Sequence, residues 1–116
     1  MEKTINVLII EDNEDDADLL ERKLKRGGYH AHCRRVETQA ELQRALEETA
    51  WDLILCDYKM PGFSGLTALK IVKERDLDIP LIFVSGTIGE DLAVEAMTMG
   101  AHDYVMKDNL KRLLPA

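Results

Sequence analysis

Asp52-Leu-Ile-Leu-Cys-Asp57, continued by Tyr58-Lys-Met-Pro-Gly62, is the stretch whose reading decides the fold. Leu53 to Cys56 form an apolar run with no alternation, stopped at a carboxylate and followed by the Pro61-Gly62 pair. A run this short, bounded by turn residues, predicts a strand buried on both faces. Strands of that kind belong to parallel sheets covered by helices on both sides. Asp57 then stands at the carboxyl end of a strand, where open α/β sheets hold their ligands.

Outward from this strand, the same alternation of apolar run and helical period repeats. Ile5-Asn-Val-Leu-Ile-Ile10 predicts a first strand, ending at Glu11-Asp12. Residues 13–26 turn helical, with Ala17, Leu20 and Leu24 on one face, a cap at Asn13 or a following Asp, and a stop at Gly27-Gly28. Tyr29 to Val36 is more polar and predicts an edge strand, with Arg34-Arg35 as solvated edge residues. Thr38-Gln-Ala-Glu41 is a capping box opening a helix with Leu42, Ala45 and Leu46 inward. Ser64 is a candidate cap for a third helix carrying Leu66, Leu69 and Val72. Leu81-Ile-Phe-Val-Ser85 predicts a fourth strand. A fourth helix with Leu92, Ala93, Ala96 and Met97 is closed by Gly100. Asp103-Tyr-Val-Met106 predicts a fifth strand, and residues 109–114 begin a fifth helix. The fold class is therefore α/β: a doubly wound, five-stranded parallel sheet in the order 2-1-3-4-5, with five helices on its two faces.

The totals agree with one domain over residues 1–116. Apolar content is 46%, and the net charge is −7. No apolar run is long enough to span a bilayer, and the N-terminal residues lack a signal region, so a cytoplasmic location without membrane contact is expected. Six carboxylates and no base fall within residues 11–18. That balance argues against direct nucleic-acid binding by this chain. Cys33 and Cys56 show no metal or redox spacing, and Cys56 reads as a buried thiol.

Right-handed crossovers bring all strand ends to one rim. The residues there are Glu11 and Asp12, Asp57, Ser85 with Thr87, and Lys107. Strands 1 and 3 are neighbours in the predicted order, so Glu11, Asp12 and Asp57 converge. Three carboxylates in one pocket repel unless a cation offsets them. Mg²⁺ suits such a site, because it takes few carboxylates and completes its octahedron with water or phosphate oxygen. Lys107 adds a mobile point charge and Ser85 a hydroxyl donor. Together these are the parts that phosphoryl transfer onto an aspartate needs.

The chain resembles the receiver domains of two-component response regulators. The resemblance is carried by Val7-Leu-Ile-Ile-Glu-Asp12, by residues 52–65, by Ile79-Pro-Leu-Ile-Phe-Val-Ser-Gly86 and by Gly100-Ala-His-Asp-Tyr-Val-Met-Lys107. It implies a chemotaxis-receiver-like, flavodoxin-like fold and a phosphorelay function. Asp57 is then the phospho-acceptor, supplied by a sensor histidine kinase or phosphotransfer protein. Asp12 and Asp57 bind Mg²⁺, Glu11 acts through water, and Lys59 contributes its backbone carbonyl. Ser85 and Lys107 bind the phosphoryl group, and Gly86 keeps the approach to Asp57 open. Ser85 and Tyr104 are the switch residues. The output surface is the fourth helix, fifth strand and fifth helix, roughly residues 90–114, through which receivers often pair as homodimers. The chain is expected to be a receiver module of a longer signalling protein with its own output domain, and a phospho-acceptor rather than an enzyme.

Two departures from the family pattern stand out. Asp108 replaces a frequent proline, so a trans peptide is expected there, and Lys59 brings a cation beside the acceptor. Two other functions remain to be weighed. An aspartate-nucleophile phosphatase carries a second Asp two residues after the nucleophile, where this chain has Lys59. A pseudo-receiver, binding partners without chemistry, typically loses an acidic residue or the lysine, and none is lost here. Dinucleotide binding is disfavoured because no glycine-rich loop follows the first strand.

Overall fold

The computed structural model describes residues 3–27, 29–57, 65–75, 79–85, 94–95, 97–101 and 103–106. Within them, five parallel strands form one sheet in the order β2-β1-β3-β4-β5. These are β1 (Lys3–Ile10), β2 (Tyr29–Val36), β3 (Leu53–Cys56), β4 (Leu81–Ser85) and β5 (Asp103–Met106). Three helices are described in full: α1 (Glu14–Arg26), α2 (Gln39–Glu48) and α3 (Gly65–Glu74). Residues 94, 95, 97 and 98 are also helical. The rest of the fourth helix, the whole fifth helix, and the Ser64 cap fall outside the described residues.

The sheet is buried on both faces because its central strands are apolar at odd and even positions alike. Val7, Ile9, Leu55, Val84 and Val105 face Ala17, Leu20 and Leu24 of α1. Leu8, Ile10, Ile54, Cys56 and Phe83 face Leu42, Ala45, Ala68, Leu69 and Val72 of α2 and α3. Each fully buried Val, Leu, Ile or Phe among them contributes about 1.5–3 kcal/mol through burial of apolar surface. Edge strand β2 instead alternates, with Ala31 buried and His30 and His32 exposed.

Local signals start and stop the helices. Asn13 caps α1 by accepting the Asp16 N–H at 3.1 Å. Glu14, Asp15 and Asp16 fill the first turn and Lys23, Lys25 and Arg26 the last, matching the helix dipole at both ends. Gly27 closes the helix at φ −79°, donating its N–H to the Lys23 and Leu24 carbonyls. In α2 the box is reciprocal. The Thr38 hydroxyl accepts the Glu41 N–H at 3.2 Å, and the Glu41 carboxylate accepts the Thr38 O–H and the Glu37 N–H. Gly100 takes φ 103°, a backbone angle that side chains strain, and its N–H reaches the Met97 carbonyl at 3.1 Å. The apolar pattern fails at Met97, which is 46% exposed, as is its neighbour Val94 at 64%.

At the end of the sheet away from the strand carboxyl ends, β1 and β3 are locked by side chains. Asp52 Oδ2 accepts the Asn6 N–H at 2.8 Å, and Asn6 Nδ2 donates to the Ala50 carbonyl. Trp51 is buried with its indole N–H on the Ala45 carbonyl at 2.9 Å, so its polar edge is satisfied inside the core.

Candidate functional site

The register sets the site. Ile10 is level with Val36 on one side and with Cys56 on the other, so β1, β2 and β3 end at the same height. The ladder then runs one residue further on both sides. Glu11 N–H donates to the Val36 carbonyl at 3.0 Å, and Asp57 N–H to the Ile10 carbonyl at 2.9 Å. Backbone bonding therefore fixes where the carboxylates begin.

Glu11, Asp12 and Asp57 each offer a carboxylate oxygen, and these oxygens lie within 4.8 Å of one another. Glu11 is 1% and Asp57 9% exposed, whereas Asp12 is more open to solvent. Glu11 Oε1 accepts the Asn13 N–H at 3.1 Å, and Asn13 in turn caps α1, so the acidic pocket and the helix start are one hydrogen-bonded unit. Three carboxylates this close, two of them buried, fit a small hard cation, since oxygen ligands at short range are what such an ion takes. No other group of three or more potential metal ligands occurs among the described residues.

Next to Asp57, at the end of β3, lies Cys56. Burial, then the neighbouring charges of Asp57 and Glu11, push its thiol well above the ordinary range. It stays protonated and donates to the Asp57 carbonyl at 3.3 Å. The buried-thiol reading of Cys56 therefore holds.

One residue at this rim was not legible in the sequence. Arg35, near the end of β2, donates from Nη1 to the Glu11 carbonyl at 3.3 Å and lies 3.7 Å from the Glu37 carboxylate. Arg34 pairs with Glu48 at 2.9 Å. Arg34 and Arg35 thus stay on the solvent-facing edge, each in a surface ion pair, and Arg35 in addition reaches the rim through the Glu11 carbonyl. The signal was its position, one residue before the carbonyl that takes the Glu11 amide.

The other expected site residues stand as follows. Ser85 ends β4, level with Met106, and Tyr104 lies within β5, level with Phe83. Their side chains fall outside what is described, as do Lys59, Gly86, Thr87, Lys107 and Asp108 altogether. Among the described residues no helix is long and apolar enough to cross a membrane.

Comparison with known proteins agrees with this geometry. The family model for the response regulator receiver domain matches residues 7–116. The DNA-binding transcriptional regulator NtrC of Proteus hauseri is 35% identical over 102 residues, covering 88% of this chain and 21% of that protein. The transcriptional regulatory protein ZraR of Escherichia coli K12 is 32% identical over 114 residues, covering 95% of this chain and 25% of that protein. The chain thus spans a quarter or less of these relatives' length. Among solved structures, the signal receiver domain of a putative Luxo repressor protein from Vibrio parahaemolyticus superposes with a TM-score of 0.82 at 30% identity, covering 95% of this chain and 84% of that one. Sequence match and superposition both run along nearly the whole chain, which therefore belongs to the response regulator receiver domain family.

Proposed function

We propose that this chain accepts a phosphoryl group on Asp57 from a phosphohistidine of a sensor kinase or phosphotransfer protein, within a two-component phosphorelay. The observation that carries the proposal is the cluster of Glu11, Asp12 and Asp57 at the strand ends of a receiver-family chain. An Asp57 carboxylate oxygen attacks phosphorus, the P–N bond breaks, and its electron pair stays on the partner imidazole. The product is an acyl phosphate, with no net oxidation. The backbone bond from Asp57 N–H to Ile10 holds the nucleophile at the rim. Asp12, Asp57 and the Lys59 backbone carbonyl would hold Mg²⁺, with Glu11 acting through water. When bound, that ion offsets the charge of the carboxylates and the phosphoryl oxygens. Lys107 pairs with Asp57 before transfer and with the phosphoryl oxygens after it. Ser85 donates its hydroxyl to the product, and Tyr104 then turns inward.

This change biases a two-state equilibrium of the output surface over residues 90–114. The exposed Val94 and Met97 supply apolar area for docking on that surface, to an output domain or to a second copy. A similar structure, the beryllofluoride-activated NtrC4 receiver domain, is a dimer; it has a TM-score of 0.81 at 28% identity. Residues 1–116 act as one receiver module of a longer protein in the cytoplasm.

The test is incubation with Mg²⁺ and a small acyl-phosphate donor, followed by mass spectrometry. One phosphoryl adduct, labile to alkali and hydroxylamine and absent in Asp57→Asn, is expected. No adduct, or an adduct that persists in Asp57→Asn, overturns the reading.

A further inference from the structure

We propose that His30 and His32 form a two-imidazole chelate for a borderline divalent transition ion, of the Ni²⁺, Cu²⁺ or Zn²⁺ class, on the open edge of the sheet. The two residues are two apart on β2, so their side chains leave the same face of the strand. The opposite face carries Ala31 and Cys33, which pack toward α1. Both histidines are exposed, and β2 has a strand partner on one side only among the described residues. Their rings meet edge to face, with centroids 5.5 Å apart and planes at 71°.

That separation is close to what chelation requires. A metal bound at about 2.1 Å from nitrogen lies roughly 3.2 Å from the ring centre. Two such rings, at about 90° (octahedral) to about 109° (tetrahedral), have centres roughly 4.5–5.2 Å apart. Chelation requires His30 and His32 to turn one ring nitrogen each onto a shared ion from this edge-to-face arrangement. The nearest cation along the same face, Arg34, is held by Glu48 at 2.9 Å, which offsets its repulsion of an incoming ion. No third protein ligand joins the pair among the described residues, so water completes the coordination sphere. Affinity should follow the general order for nitrogen sites, Cu²⁺ above Ni²⁺ and Zn²⁺.

This site is separate from the acidic pocket in chemistry and in space. Imidazole nitrogen selects borderline metals, whereas three carboxylates select Mg²⁺. His32 is level with Asn6, and Val36 with Ile10. Four to six strand residues lie between the histidines and the rim, about 13–20 Å at about 3.3 Å per residue. Occupancy of one site should leave the other intact.

The experiment is calorimetric titration of the untagged full chain with Ni²⁺, in excess Mg²⁺. One Ni²⁺ per chain is expected. Affinity should fall roughly tenfold or more in His30→Ala and in His32→Ala, and stay unchanged in His102→Ala. Amide resonances of residues 30–32 should broaden first as Ni²⁺ is added to the wild-type chain, a readout that needs no variant to fold. Unchanged binding in either β2 variant, dependence on His102, or first broadening at the rim carboxylates overturns the proposal.

Discussion

Asp57 and Cys56 are neighbours with opposite demands on charge. Asp57 places a carboxyl group at the surface of the core, and the residue before it is fully buried. Cys56 stays protonated, chiefly through its burial and then through the field of Asp57 and Glu11. Cys33, half-buried beside Glu21, is also pushed up, to about 11, mainly by burial. Neither thiol should alkylate at an ordinary rate until the chain is unfolded, because the thiolate is the reacting form. Timed iodoacetamide labelling with and without denaturant checks this, and rapid native-state labelling of Cys56 would contradict it. The carboxylates make a second expectation. Without divalent cations their repulsion destabilises the fold, so Asp12→Asn should raise stability by roughly 1 kcal/mol in a chelator-treated sample. Added Mg²⁺ should reverse the ranking by stabilising the wild-type chain through binding. Denaturant midpoints with and without Mg²⁺ measure both. Glu11, Asp12 and Asp57 were legible in the sequence because each ends an apolar run. Arg35 was not, because it acts on a backbone carbonyl of another element, and no residue pattern encodes that.

At the scale of elements, the caps carry the clearest information. The Thr38–Glu41 box is readable in four letters, and its hydrogen bonds are present. Thr38→Ala should cost about 1 kcal/mol, measured by chemical denaturation. The Glu41 carboxyl is held below its ordinary range, chiefly by the Glu37 N–H. A lowered pKa in the fold means stability that is present above the usual glutamate range and is lost as pH falls through the lowered value. Glu41→Gln should therefore flatten the acid limb of the stability profile. The change is small, since Glu41 is exposed. Gly100→Ala should cost about 1–2 kcal/mol, because its positive φ disfavours any Cβ. The nearest obstacle to that Cβ, Lys73 Cε at 2.9 Å, is the end of a flexible chain and can move. Strand β3 was legible to the residue, Leu53 to Cys56, because continuous burial leaves no polar positions. The exposed Met97 was not, since an apolar residue reads the same in a sequence whether it is buried or exposed.

Across the whole molecule, one sheet separates two apolar layers, and both must be filled. Phe83 is the largest fully buried side chain among the described residues, and Phe83→Ala should cost about 3–5 kcal/mol. That is a large share of a typical domain's total of about 5–15 kcal/mol, and the loss of unfolding cooperativity in a thermal melt would show it. Strand order was legible only as a common order of doubly wound five-stranded sheets, and the handedness of crossovers then put the strand ends on one rim. The two ladder bonds past the strand ends have a dynamic consequence. Glu11 and Asp57 stand one residue past the ends of β1 and β3, yet their N–H groups belong to the central sheet. Their amide protons should exchange with solvent deuterium only when the sheet itself opens, as slowly as those of Ile9 and Leu55. The site would then keep its alignment through every local opening short of global unfolding.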